Sequence, residues 1–215
     1  VDMQSHIGTL SVGGAATIGA GAAAAVDVNN INREITAKIV GVAGTDLNKN
    51  IVNGYNIDVN ALGETDITIT ESGLAVGAGA TGGGAVTGSV SVNHFTGLTN
   101  AIVSGIISNA HQLNVEANRV ADIQIYNNGA AASGGEIAGA IGVGVTYVKD
   151  ESSTNANLKN STVERFGSID DSADVSVQAD NKSSISTEAG SGALAIGLGG
   201  AVGTSIGVAN MNNTT

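Results

Sequence analysis

Gly77, Gly79 and Gly82 stand at the spacing GxGxxG, the pattern that cradles a dinucleotide pyrophosphate. That chemistry needs a strand before the glycines, a helix after them and an acidic residue about 20 positions further on. Here more glycine follows, then an alternating apolar segment, so these glycines read as turns between strands. Asp170, Asp171 and Asp174 crowd carboxylate oxygens of the kind that hold Ca²⁺. Neither the glycine-rich nonapeptide of calcium β-rolls nor an EF-hand loop surrounds them, so they read as a solvated acidic loop. His6, His94 and His111 have no sequence-near partner at metal-ligand spacing. Serines are plentiful, but none lies in GxSxG, and there is no cysteine to supply a thiolate. Sugar hydrolysis wants paired carboxylates in a groove lined by aromatics, whereas Tyr55, Phe95, Tyr126, Tyr147 and Phe166 are dispersed. Asn160, Asn181, Asn212 and Asn213 begin Asn-X-Ser/Thr triplets, which a chain this rich in Asn, Ser and Thr contains by composition alone. The sequence thus nominates no catalytic, cofactor-binding or metal-ligating residue. The expectation is a non-enzymatic chain that needs no cofactor.

The elements that would have to position any such group are constrained by composition. The 215 residues include 32 glycines, no proline, cysteine or tryptophan, and only 2% aromatics. Ala, Val, Ile and Gly supply most of the apolar content, which suits a narrow core more than a broad globular one. An interior glycine costs a helix about 1 kcal/mol relative to alanine, so helices are disfavoured. Collagen is excluded because there is no Gly-X-Y period and no proline. A net charge of -11, with eight scattered basic residues, excludes nucleic acid as a partner. The uncharged stretch 189–210 has the length of a membrane span, but glycines interrupt it and its apolar residues alternate. It reads as part of the repeat, and membrane insertion is set aside. Val1 opens without a signal segment and residues 212–215 break off within a repeat, which reads as a piece of a longer chain.

The chain repeats itself. Val26-Asp27-Val28-Asn29, Val90-Ser91-Val92-Asn93, Val145-Thr146-Tyr147-Val148 and Ile206-Gly207-Val208-Ala209 form one anchor, recurring at intervals of 64, 55 and 61 residues. A second anchor runs Ile57-Asp58-Val59-Asn60-Ala61, Leu113-Asn114-Val115-Glu116-Ala117 and Val175-Ser176-Val177-Gln178-Ala179, each followed by an isoleucine: Ile67, Ile123 and Ile185. Length variation is confined to the segment before the second anchor and to the glycine-rich stretch before the first. Fixed spacings read as strands, variable ones as surface loops. Apolar residues recur at period two, as in Ile18, Ala20, Ala22, Ala24, Val26 and Val28, or Leu194, Ile196 and Leu198. This is the strand signature, and it predicts that these residues fill the core. Asn29-Asn30, Asn127-Asn128 and Asp180-Asn181 read as tight corners. The fold predicted is a right-handed parallel β-helix of roughly 20 residues per coil, three coils per repeat, forming a rod of order 50 Å. It is a single segment, 1–215, with superrepeats 7–70, 71–126, 127–187 and a truncated 188–215. Open edges at both ends predict end-to-end self-association.

A Gly/Ala tract, then VDVNNI or VSVNHF, then a variable loop and IDVNA, LNVEA or VSVQA, resembles the repeats of fusobacterial leukotoxin-like and filamentous haemagglutinin-like proteins. The resemblance spans nearly the whole chain. It implies export by type V or two-partner secretion and a place outside the cell or on its surface. It also implies a role as toxin or adhesin, with a host-cell protein or glycan as partner. No site residue carries over with it. Residues 45–53 and 160–174, where the copies differ in length, are the expected points of host contact. A passive stalk presenting another domain and a β-helix carbohydrate enzyme are the alternative readings.

Overall fold

The computed structural model describes residues 2–41, 50–164 and 173–215. Among them there is no helix. The strands are β1 (Asp2–Ile18), β2 (Ala20–Val40), β3 (Ile51–Asn53), β4 (Asn56–Ala78), β5 (Gly83–Ser104), β6 (Ile107–Asn109), β7 (Gln112–Lys159), β8 (Thr162–Glu164) and β9 (Asp174–Met211). Every ladder between them is parallel.

The chain runs out along a first leg, bends, and comes back along a return leg. First legs β1, β4 and the opening halves of β7 and β9 pair in that order. Return legs β2, β5 and the closing halves of β7 and β9 pair likewise. The short strands β3, β6 and β8 form a second sheet beside the connections between rungs. The result is a sheet of parallel strands that curls back on itself, consistent with a β-solenoid.

Val26 pairs with Val90, Val90 with Val145, and Val145 with Ile206, so each repeat is one rung. This corrects the expectation of three coils of roughly 20 residues per repeat. The self-similar period marks the step from rung to rung, whereas rung size depends on where the chain can bend. No bend interrupts the 23 residues of β4 or the 22 of β5. At about 3.3 Å per residue each leg is roughly 75 Å long. The four rungs, about 4.8 Å apart, stack to only some 14 Å between the first and the last. The molecule is a flat slab, and the expected rod of order 50 Å is not what this length of chain builds.

The bend itself is glycine's work. Gly19, Gly135 and Gly197 have φ of 100°, 149° and 142°, and a Cβ on Gly197 would fall 1.9 Å from the Gly135 carbonyl oxygen. Only a residue without a side chain fits there.

Between the legs the core tapers. Ile35, Ile57, Val59, Val103, Leu113 and Val115 fill the wide end. Ile67, Ile69, Phe95, Ile123, Ile125 and Val148 fill the middle. Towards the bend only Ala75, Ala85, Ala131 and Ala140 remain. Beyond them the facing backbones touch: a Cβ on Gly77 would lie 1.9 Å from the Gly84 carbonyl oxygen. The sheets there sit closer than the ~10 Å of a side-chain-filled sandwich. The inward positions next to the bend are therefore Gly, Ala, Ser or Thr, giving way to Asp27, Asn29 and Glu71 further from it, and the larger apolar alternate residues point out. Val26 is 65% exposed, Val28 69%, Ile196 66% and Leu198 81%. The expectation that these residues fill the core is reversed.

Candidate functional site

The middle of the slab, where the legs stand far enough apart for long side chains, holds the buried polar groups. Arg119 projects inward from the first leg of the third rung and meets Asp150 on the return leg of the same rung. Its Nη1 and Nη2 both lie 3.3 Å from Asp150 Oδ2, and Nη2 is 3.3 Å from Oδ1. Nη1 also donates to Asn181 Oδ1 at 3.1 Å and to Ser183 Oγ in the next rung. Ser152 Oγ donates to Asp150 Oδ1 at 2.6 Å. Both partners are buried. A charge pair without water is tolerable only when its remaining donors and acceptors are matched, as the neighbouring Asn and Ser do here. The arrangement ties the two legs together.

Next to this clamp, Gly63 and Gly97 leave space between the legs. A cavity of about 210 Å³ is walled by Ile35, Ile67, Phe95, Thr99 and the Arg119 guanidinium.

Nearer the bend, Glu71 projects inward from β4 and is fully buried. Its carboxyl faces Asp27 and Ser91 on the return legs, with neither oxygen in a hydrogen bond of good geometry. Burial first, and then the Asp27 charge, push its pKa up from 4.5 to about 7, against a smaller opposing effect of Ser91. Around the pair, Asn29 Nδ2 donates to Asp27 Oδ2 and to Asn93 Oδ1, each at 2.9 Å, and Asn93 Nδ2 donates to Ser91 Oγ at 2.7 Å. In the next rung Asn127, in register with Glu71, donates to the Val145 carbonyl at 2.6 Å. An enclosed carboxyl beside a second one can hold a shared proton.

The residues singled out from the sequence are dispersed. Gly77 lies one residue before the end of a first leg, Gly79 and Gly82 open and close the bend of the second rung, and strand β5 follows where a nucleotide cradle needs a helix. Asp170 and Asp171 lie outside the described residues; Asp174 opens β9, its N–H donating to the His111 carbonyl at 3.0 Å. His6 lies in β1. His94 faces outward, its Nε2 3.0 Å from Glu151 Oε2, while Lys149 Nζ meets the other oxygen at 2.7 Å. The Lys149 hydrogen bond, and then that of His94, hold the Glu151 carboxyl below its ordinary pKa. His111 stacks on Tyr55, ring centres 4.9 Å apart. Among the described residues no group of three or more His, Cys, Asp or Glu is placed to hold a metal. Phe95 is core, while Tyr126 and Tyr147 look outward, so among the described residues no aromatic groove forms; Phe166 lies outside them. The expected corners at Asn29-Asn30, Asn127-Asn128 and Asp180-Asn181 all lie within strands, and Asn29 and Asn127 belong to the interior polar ladder. Among the described residues Asn160, at φ 48°, is the one non-glycine residue with a left-handed backbone.

Nothing in the sequence flagged Glu71, Arg119 or Asp150. Their one available signal was parity: each falls on the same alternation as neighbouring core residues, Glu71 with Ile67 and Ile69, Asp150 with Val148.

Comparison with models of protein families, with curated proteins and with solved structures finds no match in any of the three.

Proposed function

We propose that this chain is a non-enzymatic segment of a secreted or surface-held bacterial protein of the leukotoxin or filamentous haemagglutinin type, closed into a right-handed parallel β-solenoid. Its rungs build a rigid scaffold, and the connections between rungs meet the host cell. The observation that carries this reading is the equivalence of repeat and rung: equivalent anchors stack in register, and most of the length difference falls in 41–55, 105–111 and 160–173, of which 42–49 and 165–172 lie outside the described residues. A scaffold that keeps its stack constant while its connections vary is suited to presenting different contacts along one side. The open edges of β1, β2 and β9 allow further repeats to continue the stack.

The test is binding of the fluorescently labelled chain to leukocytes and to a panel of other cells. Saturable binding that is lost when 160–173 is replaced by the shorter 105–111 connection supports host contact. Inertness across the panel removes that half of the reading and leaves a passive stalk.

A further inference from the structure

We infer that the outer face of the return legs is a self-association surface, seating a second copy of this chain face to face about a two-fold axis. The face exists because the taper turns the large residues outward. Val26, Val90, Val145 and Ile206 form one row across all four rungs, each in register with the next. A second row, Val86, Ile141 and Val202, runs beside Gly84, Gly139 and Gly200, and this row, the glycines and Ala20 and Ala22 line a shallow apolar trough of about 490 Å³. A row of branched side chains next to a row of glycines is a ridge beside a groove. Related by a two-fold axis, the ridge of one copy enters the groove of the other.

The area suffices. Nine residues at about 3.3 Å across four rungs at about 4.8 Å give roughly 550 Å² per copy, or roughly 1,100 Å² buried in all, near the lower bound for a specific interface. Every added rung enlarges the face, so a longer stack pairs more tightly. An apolar patch of this extent lies at the upper end of the largest that a typical monomer carries, about 300–600 Å², and patches of that size are often functional.

Charge selects the occupant. The face carries no ionisable residue among positions 20–28, 84–92, 139–147 and 200–208 other than Asp27, which points inward, and Tyr147. A lipid surface would be matched by tryptophan and by Lys or Arg around the rim. This chain has no tryptophan, and its net charge of -11 opposes anionic headgroups. An uncharged face accepts its own copy, while the rest of each acidic molecule repels the other. Salt, by screening that repulsion, therefore strengthens the pairing.

Sedimentation velocity between 1 and 100 µM, at low and high NaCl, tests this. The expected result is a monomer–dimer equilibrium that stops at twice the 21.0 kDa chain and tightens several-fold with salt. Ile141→Lys is expected to weaken it at least tenfold, with far-UV circular dichroism and Tm unchanged. Val120→Lys, on the outer face of the first leg, is expected to leave it unaltered. Should Ile141→Lys disturb the fold, the paired change Val86→Thr and Ile141→Thr keeps branched strand residues and must still weaken the dimer. A chain that stays monomeric throughout overturns the proposal. So does open-ended growth indifferent to Ile141→Lys, which would mean edge-to-edge stacking. Flotation of a monomer with phosphatidylcholine vesicles, abolished by Ile141→Lys, would assign the face to lipid instead.

Discussion

Replacing Glu71 by glutamine removes a titration that the fold has displaced. In the unfolded chain this carboxyl ionises near 4.5, and in the interior, against Asp27, at about 7. Because the folded pKa is the higher one, the folded state keeps a proton that the unfolded state has lost. The Glu71 contribution to stability is therefore greatest below pH 4.5 and declines as pH rises towards 7. At 1.36 kcal/mol per pH unit the full displacement corresponds to at most about 3 kcal/mol. Asp27 is only partly buried and belongs to the outermost rung, so water and side-chain relaxation reduce this to roughly 1–2 kcal/mol. Other carboxylates, Glu151 among them, titrate with the opposite sign, so the quantity to follow is the difference between the native chain and Glu71→Gln. Relative to the native protein, the variant is expected to gain about 1–2 kcal/mol between pH 5 and pH 8. For a chain of this length that is a few degrees in relative Tm. Thermal melts at half-unit pH intervals, followed by circular dichroism, measure it. A difference that is flat from pH 5 to 8, or that grows towards acid, would refute the buried carboxyl pair.

Asp150→Asn leaves the Arg119 guanidinium buried without its counter-charge and is expected to cost about 3–5 kcal/mol in urea unfolding. Removing both ends, Arg119→Leu with Asp150→Leu, is expected to recover much of that loss. Gly77→Ala places a methyl group against the Gly84 carbonyl and is expected to lower Tm markedly, whereas Gly192→Ala, with nothing within 4 Å of the new Cβ, is expected to leave it unchanged or slightly raised.

Register was the legible part of this fold. Ile57, Leu113 and Val175 pair in order, as do Ala61, Ala117 and Ala179, and Ile67, Ile123 and Ile185, just as the self-similar anchors align them. Translational symmetry along a chain carries over directly to translational symmetry along a stack. The size of the rung was not legible, because a period states how far apart equivalent residues lie and not how often the chain turns between them. The interior ion pair was hidden for the same reason: Arg119 meets Asp150 only because the bend near Gly135 folds one leg onto the other. Polar dipeptides such as Asn29-Asn30 misled because asparagine serves a corner and a buried amide ladder equally well.

The reversal of faces near the bend follows from the bend's size. An alternation of Val with Gly, Ala or Ser has two solutions, large residues inside with the sheets ~10 Å apart, or small residues inside with the sheets in contact. The first needs a wide turn. In the first and last rungs Gly19 and Gly197 each join two legs as a single residue, which leaves no room between them. The second rung has a longer bend, 79–82, but its legs are held in register by their neighbours and must follow. Gly77 and Gly84, Gly129 and Val143, and Gly142 and Gly192 then meet backbone to backbone. Once that contact is fixed, Val86, Val90 and Ile141 have only the outside to occupy. A one-residue turn thus dictates which side chains leave the core, and so how much apolar surface each repeat presents for another molecule to cover.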